Sequence, residues 1–536
     1  MKGILYLQFF VVHRVSCTLH LILFFIGLAL SAYGQPIETP AYVKTSVEFN
    51  TSDVFLDRLY WAAERALKGN EKMFGKHQVL IEGGGYDAIW IETQPMGGEM
   101  YAKRNMTAAM NNGLLFVEYQ QANGRFPGLI KYNEGKFQPE YTHLQGFCFP
   151  YHALNLFYWN KKRDMDYLHK LYRSFELYDN YLWTYRDSDG DGCLELWCGF
   201  DTGEDNSNRF AGTKLWERYS GEKAPHDPVF PIESMDMMSY SYDARATLAK
   251  ISALIGNGKE KEWRAKAKAV QDRLYSYLWD NRRGACYDRD CNNEFMPALQ
   301  HNNLRAMYYG SFTQNMADRF VKEHLMNPEE FFTPFPLPSI AVNNPVFRNI
   351  STNNWSGQSE GLTYQRAIRA LENYGYFSEI TVFGEKFIAN VGKHNTFPQQ
   401  FDPFTGEFSE ADIRTDYGPT MLGVLEYIAR FYGVHVQFDE VYWGALGRDS
   451  HEIRYVQHWD GDAFSIRTKD GSSTGSINDK EIFHISNGVR VVTDWNGKVT
   501  QIINIKGKPL TVNCRIAGKK KTVKLKPNQI YQWNTK

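Results

Sequence analysis

Net charge is nearly absent from this 536-residue chain, in which 60 Lys and Arg stand against 61 Asp and Glu for a balance of −1. No long-range field draws a polyanion to such a surface, which argues against nucleic acid as a partner. The longest basic run, Lys519-Lys520-Lys521, falls where a hairpin turn is expected and reads as a solvated turn. Cysteine is scarce, seven in all, and Cys148, Cys193, Cys198, Cys286, Cys291 and Cys514 lack the spacing of a zinc site. Two pairs five apart would close small disulfide loops in an exported protein, and buried free thiols fit them equally well. Beyond the N-terminus there is no apolar run that could span a membrane. No repeat period shows, which disfavours a solenoid.

The N-terminus does carry an apolar stretch. Arg14 precedes Leu21–Leu30, and Ser31-Ala32-Tyr33-Gly34 sets small residues at −3 and −1 of a cut before Gln35. This predicts an export signal over 1–34 and a periplasmic or extracellular mature protein, with no membrane partner after cleavage. No cysteine stands at the cut, so a lipid anchor is not expected.

Aromatic residues are plentiful at 15%, with 13 Trp and 33 Tyr, and rings of this kind stack on the apolar faces of sugars or fill a core. From Val54 to Tyr432 the chain reads as about ten helical segments broken by Gly, Pro and Asn loops, which predicts antiparallel helical hairpins. Tyr242–Ile255 and Glu262–Trp279 are the clearest pair, with Gly256-Asn257-Gly258 as helix stop and turn. After Gly433 the pattern alternates with a period of two, and Trp495-Asn496-Gly497 reads as a hairpin turn. The expected organisation is therefore a helical domain over 35–433 and a small antiparallel β-sandwich over 434–536.

Loops between helices on a rigid scaffold commonly carry the chemistry. In Gly203-Glu204-Asp205-Asn206-Ser207-Asn208-Arg209-Phe210 the second of two adjacent acids, Asp205, leads into small polar residues with an arginine and a ring behind it. Burial against such a ring raises a carboxyl pKa and lets it deliver a proton to a leaving oxygen. A helix-capping role is the plainer alternative. Asp236, before the Tyr242 helix, could bond sugar hydroxyls or cap that helix. Trp355 lies in a polar-aromatic loop, Asn353–Glu360, and Gln399 and Glu407 lie in a turn-rich one. Glu92–Glu99 reads as a further rim loop beside Trp90. Asp187, Asp189 and Asp191 space their oxygens like the first half of a calcium loop, but position twelve is Cys198. A complete EF-hand is excluded, and a partial calcium site and an Asx turn both stand.

The order of these motifs resembles the clan of inverting glycosidases with an (α/α)6 barrel, including trehalase and glycoside hydrolase family 63 with its mannosylglycerate hydrolases. Asp205-Asn206-Ser207-Asn208-Arg209-Phe210 is similar to the clan's Asp-Asn-Ser-Pro-Arg-Trp, and Asp402-Pro403-Phe404-Thr405-Gly406 to its Asn/Asp-Pro-x-Thr-Gly. Ser234–Tyr240, Leu278-Trp279-Asp280, Pro338-Ser339 and Trp355-Ser356-Gly357 follow in the expected order, so that the likeness covers roughly residues 85–432. The resemblance implies a mainly α fold, an (α/α)6 toroid of helical hairpins followed by the β-sandwich. It also implies an exo-acting glycosidase of α-linked oligosaccharides with Asp205 as general acid and no required cofactor.

Two departures bear on mechanism. The clan's catalytic base position, three residues before Asp402-Pro403, is Gln399 here, and an amide cannot deprotonate water. A shift in the alignment would put the missing base at Asp402 or Glu407; otherwise Glu360, which replaces a tryptophan of the clan's pattern, is the candidate, with a role at a helix N-terminus as its alternative. Trp90, Arg209, Asp236, Trp355 and Gln399 are the expected sugar contacts. Gln399 also motivates a rival reading, a non-hydrolytic carbohydrate-binding protein on the same scaffold. A polysaccharide lyase is the second rival, and the neutral charge balance weighs against it.

Overall fold

Short polar side chains set the helix starts. Asp53 accepts the backbone N–H groups of Phe55 and Leu56 at the head of α1 (Val54–Gly69). Asn105 does the same for α3 (Met106–Glu118), and Asp164 for α5 (Met165–Tyr185). The computed structural model describes residues 46–204, 206–210, 223–225, 229–351, 354–408, 415–448 and 450–533. The export signal expected over 1–34 lies outside them.

Twelve α-helices stand among the described residues. The even-numbered ones are α2 (Gln94–Tyr101), α4 (Phe149–Trp159), α6 (Met235–Ile255), α8 (Asn302–Tyr309), α10 (Gly361–Glu372) and α12 (Gly418–Tyr432). They pack in a cycle, α2 on α4, α4 on α6, α6 on α8, α8 on α10, α10 on α12, and α12 back on α2. Nearly every residue of α2, α4, α8, α10 and α12 is buried. The odd-numbered helices lie outside this ring and bury one stripe each. In α7 (Glu260–Arg273) only Trp263, Ala267 and Val270 are buried, and the rest of the helix is charged or small. The others are α9 (Gln314–Phe320) and α11 (Phe377–Val391).

This inner–outer division explains where the sequence expectations fail. The expected rim loop Glu92–Glu99 contains most of α2, which is buried on all sides and shows no amphipathic period. Its Gly98 is required by close packing on α3, since a Cβ there would stand 2.9 Å from that of Asn112. Gly310, which takes φ +78°, ends α8 and separates it from α9. The Tyr242 helix begins at Met235, with the Ser234 hydroxyl accepting the N–H groups of Asp236 and Met237. Ser234, not Asp236, is the cap.

Numbering only the strands of the terminal β-region, two antiparallel sheets pack together. One has the order β1 (Val47–Thr51), β4 (Ile453–Trp459), β5 (Asp462–Lys469), β6 (Ser472–Ile477), β7 (Lys480–Ser486), β10 (Leu510–Ile516), β11 (Lys519–Leu525). The other runs β2 (Val434–Gln437), β3 (Glu440–Ala445), β8 (Val489–Thr493), β9 (Val499–Asn504), β12 (Ile530–Gln532). Strand β1 precedes the first helix, so the β-region takes in residues outside 434–536, with Val47 opposite Gln457 and Thr51 opposite Ile453. Lys519-Lys520-Lys521 opens the edge strand β11, where exposed lysines discourage pairing with another chain. Asn155 of α4 ties the helices to the sheets, donating to the Val436 carbonyl and accepting from the Phe438 N–H. Cys148, Cys193, Cys198, Cys286 and Cys514 are buried free thiols. No described helix is long and apolar enough to cross a membrane.

Candidate active site

The N-terminal ends of α6, α8 and α10 meet the loop that follows Trp197 in a buried, charged cluster. Its centre is Glu204. One carboxylate oxygen accepts from Arg305 Nη2 at 2.7 Å, Asn302 Nδ2 at 2.8 Å and His301 Nε2 at 2.9 Å. The other accepts from Arg209 Nη1 at 3.1 Å. Burial pushes the Glu204 pKa up, but Arg305, Arg209 and His301 outweigh it and hold the carboxyl well below its usual range. Glu204 is therefore a permanent anion and not a proton donor. Burial pulls the His301 pKa down despite Glu204, so the ring is neutral at neutral pH. With Nε2–H on Glu204, Nδ1 accepts from the Thr363 hydroxyl at 2.9 Å.

Arg209 is the second hub. It also donates to Asp236 at 2.9 Å and pairs with Asp288 at 3.2 Å, while its guanidinium lies 4.6 Å from the centre of the Phe210 ring. Asn302 bridges Glu204 to both oxygens of Asp236. Behind the loop stands Glu92, bonded by Arg366 at 2.9 Å and 3.7 Å from Arg305. Burial raises the Glu92 pKa in spite of those two arginines. Gly203 explains how the loop fits here: it takes φ +80°, and a Cβ on it would stand 1.8 Å from Glu92 Oε2.

An aromatic wall adjoins the cluster. Trp355 is buried with its ring centre 5.7 Å from that of His301, and its carbonyl accepts the Ser207 hydroxyl at 3.0 Å. The Asn208 N–H donates to Ser356 Oγ at 2.7 Å, which ties the two loops together. Tyr86 lies edge-on to Trp90 and also to Tyr417. Its hydroxyl donates to Gln399 Oε1 at 3.1 Å. Burial raises the Tyr417 pKa, and the nearby charges of Glu82, Glu92 and Glu360 raise it further.

Glu360 is fully buried and stands opposite Gln400 in a two-residue antiparallel pairing. The next N–H, of Gly361, donates to the Gln399 carbonyl at 2.9 Å. Glu360 sits at the cap position of α10 with extended backbone, φ −102° and ψ 139°, yet its side chain takes no capping bond. Its carboxylate is thus placed at the N-terminus of α10, as the helix N-terminus alternative expects, without making a capping hydrogen bond.

Comparison with known proteins agrees with this arrangement. Residues 101–420 match the family model of the mannosylglycerate hydrolase MGH1-like glycoside hydrolase domain. The chain belongs to this family. It is a glycoside hydrolase. A glycoside hydrolase family 63 mannosylglycerate hydrolase from Thermus thermophilus, solved with glucose, superposes with TM-score 0.56 at 16% identity, over 69% of this chain and 99% of its own. A solved sialidase gives TM-score 0.64 at 12% identity, over 87% of this chain and 44% of its own. At these identities the likeness is one of fold.

Within this family member the expected site residues fall into different places. Asp205 lies outside the described residues, one position after Glu204. Trp355 and Gln399 are buried beside the cluster, and Trp90 is partly exposed at its edge. Arg209 and Asp236, the expected sugar contacts, lie in the cluster and bond each other and Glu204, Asp288 and Asn302. Glu407 is exposed and pairs with His394 at 3.5 Å, so it does not join the cluster. Reasoning from sequence missed Glu204, His301, Asn302, Arg305 and Arg366, and read Glu92 only as part of a rim loop. Only Glu204 carried a local signal, its place within the acid-bearing loop.

The acidic loop forms Asx turns. Asp189 Oδ1 accepts from Asp191 N at 3.1 Å, and Asp187 Oδ1 from Gly192 N at 3.2 Å. The carboxylates of Asp187, Asp189 and Asp191 come within 4.8 Å of one another, and so do those of Asp189, Glu195 and Glu233. Glu233 is buried, and its Oε2 has no hydrogen-bond partner. Burial pushes its pKa up to about 8, with Asp191 adding to the rise.

Proposed function

We propose that this glycoside hydrolase is an exported, inverting, exo-acting enzyme of α-linked oligosaccharides, and that its cyclic helix packing is an (α/α)6 toroid. Asp205 is the general acid, protonating the glycosidic oxygen as the anomeric bond breaks. Glu360 is the general base, taking the proton of a water that attacks the anomeric carbon from the opposite face. The observation that carries this reading is the buried Glu360 on the strand pairing beside Gln399, the position from which the clan's base is lost. Glu204 supports the acid from the adjacent position. Its fixed negative charge, clamped by two arginines, anchors the loop and favours a protonated neighbour.

The acidic loop is read as a divalent-cation site, with calcium the fitting ion for an all-oxygen donor set. Asp187, Asp189 and Asp191, with Glu195 and Glu233, would hold it, and the orphaned Glu233 oxygen is the feature that favours an ion over a bare Asx turn. Its contribution would be charge neutralisation and loop rigidity, with no part in bond cleavage.

The test is a screen of α-linked disaccharides, with the first-formed anomer of the released sugar followed by proton NMR. Release of the β-anomer is expected, and release of the α-anomer overturns inversion. Asp205→Asn and Glu360→Gln should each lower kcat by about 10²–10⁴. Unchanged turnover in either variant removes that residue from its role. Saturable oligosaccharide binding without release of reducing sugar by the wild type would instead establish the non-hydrolytic reading.

A further inference from the structure

A cavity of about 460 Å³ opens at the far end of the same three inner helices. Each gives its N-terminus to the Glu204 cluster and its later residues to this cavity: Asp243 and Lys250 from α6, Tyr309 from the end of α8, Arg369 from α10. At 1.5 Å per residue, Arg369 lies about 14 Å along α10 from Glu360. The volume falls within the range of small-molecule sites.

The chemistry of the walls is specific. Arg369 is nine-tenths buried, and its guanidinium lies 3.4 Å from the centre of the Tyr151 ring. Nη2 donates to Asp243 Oδ1 at 2.9 Å, but Nε and Nη1 have no partner. A buried guanidinium with two orphaned N–H groups is costly unless something accepts them. Asp243 is already engaged on its other oxygen by the Tyr151 N–H at 3.4 Å. Across the cavity Lys250 holds its ammonium 4.2 Å from the centre of the Phe438 ring. Among the described residues it has no carboxylate within ion-pair reach. Burial and the charge of Arg369 pull the Lys250 pKa down to about 8 against the opposing charge of Asp243, and both cations line the same cavity. The carbonyls at the end of α8 do not oppose an anion there: the Asn373 amide donates to those of Met307 and Tyr308, at 2.9 and 3.0 Å.

The geometry points to a second ligand site, separate from the catalytic cluster, that binds an anionic monosaccharide: the carboxylate or phosphate on Arg369 and Lys250, the sugar body against the other aromatic residues that line the cavity, Tyr242 and Tyr374. A fork of free N–H groups suits an oxyanion, and aromatic walls suit the apolar face of a pyranose. The two sources of that anion, a uronic acid and a sugar phosphate, share this chemistry and are separated by the test.

Calorimetric titration of the full chain with glucuronate, glucose 6-phosphate and neutral glucose is the experiment. Saturable binding of at least one anion is expected, weakened at least tenfold in Lys250→Gln and unchanged in Glu360→Gln. Most of the Lys250 side chain is exposed and only its ammonium end is held in the cavity against Phe438, so that variant should fold as the wild type does. Arg369→Gln serves as a second variant, with its circular dichroism compared with wild type before titration. Whichever anion binds more tightly identifies carboxylate or phosphate as the source. The site is overturned if neither anion saturates at millimolar concentration, if glucose binds as well as both, or if Lys250→Gln binds as the wild type does. Loss of anion binding in Glu360→Gln would move it to the catalytic cluster and equally overturn the inference.

Discussion

Replacing Glu204 by glutamine tests the cluster with the least change of shape. The carboxylate receives four hydrogen bonds, three on one oxygen and one on the other. An amide has one acceptor oxygen, and its NH2 group must then face donors: Arg209 on one side, or Arg305, Asn302 and His301 on the other. Either orientation leaves at least one guanidinium without its anion, since Arg305 otherwise reaches carboxylates only at 3.7 Å. Breaking a buried pair of this kind costs about 3–5 kcal/mol. For a folded unit of roughly 490 residues the entropy of unfolding is about 1 kcal/mol per kelvin, so Glu204→Gln should lower Tm by about 3–5 °C. The effect has a pH signature. Because the folded carboxyl is held below its unfolded value, its stabilisation is fully present above about pH 4.3 and is lost as pH falls through the folded value. The gap in Tm between wild type and Glu204→Gln should therefore be full at pH 6–7 and close in strong acid. Differential scanning calorimetry across that range measures it. A gap below 1 °C at pH 7, or one that widens in acid, would refute the account of Glu204 as a clamped anion.

Other outcomes follow from the same geometry. Gly203→Ala demands a left-handed alanine at about 1–2 kcal/mol and drives its methyl group into Glu92, so Tm and kcat should both fall, kcat at least tenfold; retention of both would mean that Glu92 yields freely. Glu233, raised to about 8, should destabilise the calcium-free protein progressively as pH rises from about 4.3 to 8, by at most about 5 kcal/mol. Added calcium should restore Tm more at pH 8 than at pH 6, and Glu233→Gln should abolish both the slope and the response; a calcium-independent Tm in wild type would remove the site. In the Glu360→Gln background, Gln399→Glu should recover part of the lost kcat if both positions address the same attacking water, and no recovery would separate them.

The stop of α6 was legible because it depends on neighbours in sequence: Gly256 ends the helix from the next position, whereas the start of the same helix at Met235, capped by Ser234, was not read. The amphipathic outer helices were legible too, since a single buried stripe leaves a period of 3.6. Helix α2 was not. A segment buried on every face has no polar side to mark its phase, and Gly97-Gly98 reads as a loop until α3 is packed against it. Strand β1 was missed for a related reason: its partner lies some four hundred residues later, at Ile453–Trp459.

The chemistry divides along the same line. Local order alone carried the run Gly203–Phe210, the loss of a carboxylate at Gln399 and the gain of one at Glu360, and with them the family. Pairing was decided in three dimensions. Arg209, an expected sugar contact, braces three carboxylates, and Glu407 moved out to solvent. His301, Arg305 and Arg366 joined Glu204 and Glu92 from helices far along the chain. Charge in a buried site acts through space over a few ångströms in a medium that screens it weakly. A residue's protonation and role are therefore set by whichever side chains the fold brings within that distance, and sequence neighbours seldom number among them.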